Sequence, residues 1–446
     1  MFRRMLRRES VWLSFLFFLF AGQSSAQSPP SAPVSSVSLT LKQAVQLALK
    51  QNPEQMVAHL LTLQSSRDSE IARSPLLPQV DLAVTGALKQ YNFQSVERSP
   101  DRKAAGPFQY FESGTVFSQS LLNLPLIRGY QIGREGVVHA NANEVVSREN
   151  VTAAVVTQYL LVLRAMANYD AVTTRVTLGE RLYKQAEELQ NTGIGLSIDT
   201  LRANVELQNE RQSLIKAGTE TRTTRYRLAE LLDLPRDQEL QVTDHLGFFD
   251  LPVFDRSAMI DKALATRPEM KAIAAEKRIA QLTRKSASEQ RLPELGFDGF
   301  WAWQGQHFNE GIPAYTYAAS LRMPLFEGGR IHAEIARSKL QEQKVDENRK
   351  ALEARIIREV KTALDELESA RTAVEVATSA LKLANDEVAQ AQRRFQAGVT
   401  TNVEVITAQS ALAQASDNQV EALYVFNQSR ANLAHAMGEI ENTYSK

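Results

Sequence analysis

The side chains able to do covalent or metal chemistry are few and poorly spaced for it. The six histidines, His59, His139, His245, His307, His332 and His435, are scattered, with no His-Glu-x-x-His or comparable ligand spacing. Cysteine is absent. That excludes thiolate metal sites, a cysteine nucleophile, structural disulfides and lipid attachment at a processed N-terminal cysteine. Gly193-Ile194-Gly195 and Gly328-Gly329 are too brief and badly placed for a phosphate cradle, and read better as a helix tip and a strand-to-helix bend. Carboxylate pairs such as Asp365-Glu366 lie among lysine and arginine on helix-like faces, where solvation and i,i+4 pairing account for them. We therefore expect no catalytic residue, no cofactor and no metal, and read the chain as not an enzyme. Over 446 residues, 51 basic side chains balance 51 acidic ones. That leaves no cationic surplus for nucleic acid.

Chemistry aside, the informative features are the elements. Arg3, Arg4, Arg7 and Arg8 precede an apolar run from Val11 to Ala21 that is too short to span a bilayer, and Ser24-Ser25-Ala26 offers small residues for cleavage. Residues 1–26 read as a secretory signal peptide. No later stretch has ~20 consecutive apolar residues, so no transmembrane helix is expected.

The remainder repeats itself. Asn52-Pro53-Glu54 is answered by Arg267-Pro268-Glu269, and Leu77-Pro78 by Leu292-Pro293. Pro125-Leu126-Ile127 with Gly129 is answered by Pro324-Leu325-Phe326 with Gly328, and Gly193 with Ile198 to Ala203 by Gly398 with Val403 to Ala408. Order is kept throughout, which points to two copies of one plan. The first repeat is expected over 39–235, with strands at about 79–92 and 108–123 and helices at about 41–73, 130–191 and 197–233. A linker over 236–256 leads to a second repeat over 257–439. Its strands are expected at about 294–305 and 314–324 and its helices at about 257–290, 330–396 and 402–437.

From Arg330 to Ala397 there is neither glycine nor proline, and the composition favours helix. Val360, Leu367, Val374, Leu381, Val388 and Phe395 recur every seven residues beside Ala363, Ala370, Ala377, Ala384 and Ala391. Large residue against alanine at period 3.5 is the seam of a left-handed coiled coil. After the tip glycines Gly193 and Gly398 a second helix returns, so each half ends in a long antiparallel hairpin. Between these helices lie two aromatic-rich windows, where Tyr315, Tyr317, Ala319, Leu321 and Met323 alternate with polar or small residues, as do Val80, Leu82, Val84, Gly86 and Leu88. Each window reads as two strands around a polar loop, Ser95 to Gly106 in the first and Gly305 to Gly311 in the second. Trp301 and Trp303, on one face, with Tyr315 and Tyr317, suit the aromatic girdle of a membrane β-barrel. Four spanning strands cannot close a barrel alone, so spanning requires self-association.

These residues together resemble the outer-membrane efflux protein family. The resemblance rests on the two-fold repeat, on Pro53-Glu54 and Pro268-Glu269, on the run Met323-Pro324-Leu325-Phe326-Glu327-Gly328-Gly329-Arg330, and on the tip Phe395-Gln396-Ala397-Gly398 leading to Val403-Glu404-Val405. It implies a mainly α fold with a membrane β-barrel part. Two tandem repeats of coiled-coil hairpins would form a homotrimeric periplasmic α-barrel, joined to a 12-stranded outer-membrane β-barrel in contact with lipid, four strands per protomer. It also implies work as the exit duct of a tripartite system with a periplasmic adaptor and an inner-membrane transporter. The strand-to-helix bends would be Pro125, Gly129, Pro324, Gly328 and Gly329. In the family the tips close the periplasmic aperture through acidic residues, and the matching positions here are Asp199 and Glu404. Where the family's best-known pattern has an aromatic hydroxyl, an arginine and a second acid, this chain has Phe395, Thr400 and Thr407. The competing reading is a periplasmic coiled-coil adaptor or tether with soluble aromatic hairpins. Adaptors usually carry one helical hairpin, whereas two hairpins in step with two strand pairs favour the duct.

Overall fold

The computed structural model describes residues 36–92, 104–193, 195–236, 238–250, 252, 254–397 and 399–445. The signal-peptide segment, Gly398 and most of the expected loop from Ser95 to Gly106 lie outside them.

In chain order the elements are β1 (Ser36–Leu39), α1 (Leu41–Gln51), α2 (Pro53–Arg73), β2 (Gln79–Asn92), β3 (Ala104–Leu122), α3 (Leu124–Asn191), α4 (Ser197–Leu231) and β4 (Glu239–Val242). They continue as α5 (Arg256–Thr266), α6 (Pro268–Glu289), β5 (Glu294–Gly305), β6 (Ile312–Arg322), α7 (Arg330–Gln396), α8 (Asn402–Ala436) and α9 (Ile440–Ser445). The helical stretches expected at 41–73 and 257–290 are each two helices, a short one and a longer one, divided before a proline at Asn52 and Arg267. Proline disfavours helical geometry in the residue before it, yet suits the first turn of the next helix, where its missing N–H has no intrahelical partner.

Helix α3 pairs with α4 and α7 with α8, while α2, α3, α6 and α7 follow one another side by side. The alanine column Ala363, Ala370, Ala377, Ala384 and Ala391 is buried throughout, with Val360, Leu367, Val374 and Val388 beside it. Alanine in the seam lets neighbouring helices approach closely. One window of α3 is apolar enough to cross a membrane by composition. Its Val151, Val155, Val156, Tyr159, Leu160, Val162 and Leu163 instead belong to a core shared with α1, β1, β4 and Ile440.

That core also holds part of the expected linker over 236–256. Strand β4 pairs in parallel with β1, from Ser36 opposite Glu239 to Leu39 opposite Val242. Asp244 accepts hydrogen bonds from the Leu41 amide at 2.7 Å and from the buried Tyr159 hydroxyl at 2.8 Å. Farther on, Phe248 packs on Phe426 with ring centroids 4.9 Å apart. Asn427 Nδ2 donates to the Gly247 carbonyl at 2.9 Å. The segment is strapped across the helices by contacts too distant in sequence to read from it.

The four long strands form one antiparallel sheet in the order β2-β3-β5-β6. β3 runs from Ala104 rather than from about residue 108. The two passages from strand to helix differ. After β6, Gly328 and Gly329 both take positive φ, 58° and 84°, before α7 begins. After β3 a single residue suffices: Asn123 caps α3 by accepting the Leu126 amide at 3.0 Å. Pro125 and Gly129, expected at a bend, therefore lie inside the first turns of α3, which starts at Leu124 rather than near 130. Proline is tolerated there because that N–H would be unpaired in any case. The base of α3 is then held to α6 by Arg128, whose Nε and Nη2 reach Glu289 at 2.9 and 2.8 Å.

Candidate functional site

Two regions are candidates for function: the sheet at one end of the long helices and the hairpin tips at the other. In the sheet, register alone sorts the side chains, because directly opposed residues share a face. Thr115 stands opposite both Leu82 and Trp301, and Trp301 opposite Tyr315. Phe117 stands opposite Val80 and Gly299, and Gly299 opposite Tyr317. One face thus collects Val80, Leu82, Val84, Leu88, Phe117, Phe297, Trp301, Trp303, Tyr315, Tyr317 and Leu321. Most are openly exposed: Leu82, Leu88 and Leu321 each show 70% or more of their surface. Phe297 makes an edge contact with Phe117 and stacks on Tyr317. Trp303 Nε1 donates to the Phe308 carbonyl at 3.2 Å, tying the ring to the β5–β6 loop. Gly311 leaves room for that ring, since a Cβ there would fall 2.1 Å from Nε1.

The opposite face is mainly polar, with Val116, Phe300 and Ile312 as apolar members. It carries Asp81, Thr85, Lys89, Tyr110, Glu112, Asp298, Gln304, Thr316, Ser320 and Arg322. Gln304 Nε2 and the Tyr110 hydroxyl both donate to Glu112 Oε2, the former at 2.7 Å, and Lys89 Nζ lies 3.2 Å above the Tyr110 ring. A sheet with one apolar and one mainly polar side is suited to a boundary between hydrocarbon and water. Among the described residues, its outer strands β2 and β6 each pair on one side.

At the tips, the α3–α4 turn is made by Gly193 at φ 76°. Asp199 lies in the first turn of α4 and Glu404 in the first turn of α8, where a carboxylate is favoured by the helix dipole. Each faces a cation of its own chain. Arg202 is 3.7 Å from Asp199, and Arg394 is 3.4 Å from Glu404. Thr400 hydrogen-bonds Glu404, whereas the Thr407 hydroxyl turns back to the Val403 carbonyl at 2.9 Å and reaches no acid. Phe395 packs beside Leu182, Val388, Ala391, Val405 and Ala408 rather than standing free at the tip.

The strongest links between the two hairpins were not legible in the sequence. Asn402, almost fully buried, donates to the Asp199 carbonyl at 3.1 Å and so ties one tip to the other. Farther along, Arg175 of α3 reaches Glu210 of α4 at 3.1 Å and Asp417 of α8 at 2.8 Å, joining both hairpins through one largely buried guanidinium. An arginine at a seam-flanking position of α3 is the only sequence signal for it. Among the described residues no group of histidine, aspartate and glutamate is placed to hold a metal.

Residues 259–439 match the family model described as outer membrane efflux protein. The chain is similar to the outer membrane protein TolC of Vibrio cholerae, 21% identical over 398 residues that cover 85% of this chain and 87% of that one. It is also similar to the pyoverdine export outer membrane protein OpmQ of Pseudomonas aeruginosa, 22% identical over 437 residues, 94% of this chain and 90% of that protein. Among solved structures, the CmeC outer membrane channel of Campylobacter jejuni aligns with a TM-score of 0.77 at 17% identity, over 90% of this chain and 86% of that one.

Proposed function

We propose that this chain, whose residues 259–439 match the outer membrane efflux protein model and which is similar along most of its length to TolC and to the CmeC channel, is an outer-membrane protein reaching into the periplasm and the exit duct of a tripartite export system. The observation that carries the reading is the two-sided sheet. Its apolar, aromatic face suits lipid, its mainly polar face suits an aqueous lumen, and among the described residues its outer edges are open. In hydrocarbon each unpaired backbone group costs several kcal/mol, so such edges are tolerated only where β2 and β6 meet other strands. Copies of the chain supply those strands, and a homotrimer gives a closed barrel of twelve. The helical hairpins extend the same tube into the periplasm, where an adaptor and an inner-membrane transporter deliver cargo. Pyoverdine export by one relative supports a small-molecule cargo. The family-derived bends and tips then have distinct tasks: Pro324, Gly328 and Gly329 turn the chain from barrel to helix, and Asp199 and Glu404 border the entrance.

The deciding experiment is outer-membrane fractionation followed by planar-bilayer recording. Heat-modifiable, detergent-dependent oligomers that conduct ions support the duct, and a monomer released by osmotic shock excludes it. Ion selectivity tests the entrance. Because Arg394 stands beside Glu404, Arg394→Gln is expected to raise cation preference and Glu404→Gln to lower it. Unchanged reversal potentials in both variants remove these residues from the entrance.

A further inference from the structure

The ends of α4 and α8 are built alike. After α8, the Glu439 amide closes on the Ala434 carbonyl at 2.9 Å with Gly438 at φ 67°, and after α4 the Leu234 amide closes on the Ala229 carbonyl at 3.0 Å with Asp233 at φ 48°. Residue by residue, Glu230 stands where His435 does, Pro235 where Ile440 does, and Arg236 where Glu441 does. Three consecutive residues of α3 serve the α8 end. Arg148 Nε donates to Glu441 at 2.9 Å, Glu149 accepts the Ile440 amide at 3.0 Å, and Asn150 meets His435 at 3.1 Å. At the α4 end Asn52 and Gln51 reach the Leu231 and Leu232 carbonyls, but among the described residues no side chain of α3 or α7 serves Glu230 or Arg236 in the way that α3 serves the α8 end. Glu230 and Arg236 are exposed, and neither makes an ion pair among the described residues.

Helix α7 carries the missing counterpart. Its seam matches that of α3, with Leu367, Ala370, Ala377, Ala384 and Ala391 standing where α3 has Val162, Ala165, Val172, Gly179 and Ala186. In that alignment Arg148, Glu149 and Asn150 become Glu353, Ala354 and Arg355. The substitutions are complementary. Arg148 against Glu441 becomes Glu353 against Arg236, with both signs exchanged. Asn150 against His435 becomes Arg355 against Glu230, again opposite charges. The buried acceptor Glu149, which serves the Ile440 amide, becomes Ala354 just where Pro235 has no amide to offer. Donor and acceptor are deleted together.

Exposure points the same way. Tyr226 of α4 is 69% exposed where its counterpart Ala431 of α8 is 2% exposed, and Leu60 of α2 is 54% exposed where its counterpart Ala275 of α6 is 2% exposed. The first-half helices lack a neighbour that the second-half helices have.

We propose that the α7 face bearing Glu353, Ala354 and Arg355 seats the α4 end of a second copy of this chain. Glu353 then pairs with Arg236 of the partner subunit, and Arg355 with Glu230 of the partner subunit. The proposal rests on the self-associating duct described above and adds its residue-level register. Among the described residues, Glu353 pairs in its own chain with Arg349 at 2.8 Å and Arg355 with Glu359, a carboxylate already engaged by Arg267, at 3.7 Å. Exposed i,i+4 pairs of that kind are weak and readily exchanged.

Because the natural chain has no cysteine, engineered pairs report cleanly. The full-length variant with Arg355→Cys and Glu230→Cys, oxidised in outer membranes, is expected to give covalently linked multimers on a non-reducing gel. The mismatched pair Arg355→Cys with Lys216→Cys is expected to give none, its α4 residue being displaced by about 20 Å along the helix. Independently, Glu353→Arg or Arg236→Glu alone is expected to reduce the heat-resistant oligomer severalfold, and the two together to restore it. Oligomers that assemble but cross-link equally from the mismatched pair, or a double exchange that fails to restore, overturn this register while leaving the duct intact. Absence of any oligomer in the natural protein overturns the duct reading itself, and this register with it.

Discussion

The joint where a return helix meets the short helix of its own half is built twice, once around an amide and once around a guanidinium. In the first half, Asn52 caps α2 by accepting the Glu54 and Gln55 amides, and its Nδ2 donates to the Leu231 carbonyl at the end of α4, 2.8 Å away. Gln51 reaches the next carbonyl, that of Leu232. In the second half, Arg267 occupies the corresponding place. Its Nη1 donates to the Ala436 carbonyl at 3.4 Å, and Thr266 reaches the Met437 carbonyl at 3.3 Å. Arg267 is 3% exposed, so its charge needs partners, and Glu269 and Glu359 each stand 2.6 Å away. The same carbonyl-capping task is met by a self-contained neutral side chain or by a buried ionic triad. The second binds more helices together and tolerates less loss, because removing one member strands the others.

That contrast sets the scale of four predictions. Arg267→Ala leaves Glu269 and Glu359 facing each other in a largely buried joint, and is expected to cost about 3–5 kcal/mol in the unfolding free energy measured by denaturant titration in detergent. Burial pushes the Glu269 carboxyl up, but the Arg267 hydrogen bonds outweigh this and hold it below its ordinary value. Losing Arg267 is therefore expected to hurt most near neutral pH and least in acid, where both carboxyls protonate. A smaller defect at pH 7 than at pH 4 contradicts the ionic account.

Glu149, which holds the segment beyond the second joint, gives the next effect. Burial pushes its carboxyl up to about 7 from the ordinary 4.5, against the opposing Ile440 and Glu441 amides. Between these two values the folded protein retains a proton that the unfolded chain releases, so Glu149 erodes stability as pH rises through that window. Glu149→Gln, which keeps an acceptor for the Ile440 amide, is expected to be neutral below pH 4.5 and stabilising by on the order of 2 kcal/mol above pH 7. Melting temperatures across pH check the sign, and a benefit largest in acid is the contrary result.

Asn52→Ala removes one cap and one bridging bond but strands no charge. A loss of about 1–2 kcal/mol is expected, with little dependence on pH. The smallest effects lie in the turns after the joints. Gly438→Ala places a Cβ 3.1 Å from Arg267 Cγ at a positive φ, and is expected to cost about 1 kcal/mol. Asp233→Gly relieves the same backbone strain in the first half, and is expected to stabilise by a few tenths of a kcal/mol. Equal effects of opposite sign in the two turns remove the distinction between them.

Much of this architecture was legible beforehand. The heptad column of α7 and the alternation in β2 and β6 are patterns in which neighbours in sequence report the face they share, and the helices and strands follow from them. What misled was punctuation. Pro125 and Gly129 look like the counterparts of Pro324 and Gly328, yet Asn123 caps α3 at once, and the first pair ends up inside the helix. The same letters serve a helix start in one place and an extended link in the other, because a proline in a first turn and a proline in a loop satisfy the same φ. At the tips, composition located Asp199 and Glu404. It could not show that Arg202 and Arg394 already stand beside them, or that Phe395 belongs to the seam.

The sequence by itself determined local periodicity: long alanine-seamed helices, four strands with one apolar side, an absence of reactive cysteine and a plan stated twice. Those are properties of residues within one or two turns of each other, where backbone geometry fixes which side chains are neighbours. Only the tertiary structure decided the pairings across the chain. It placed β1 beside β4, Asn402 under Asp199, and Arg175 between Glu210 and Asp417. A buried polar group must find its partner wherever folding delivers one, and no local pattern records where that will be.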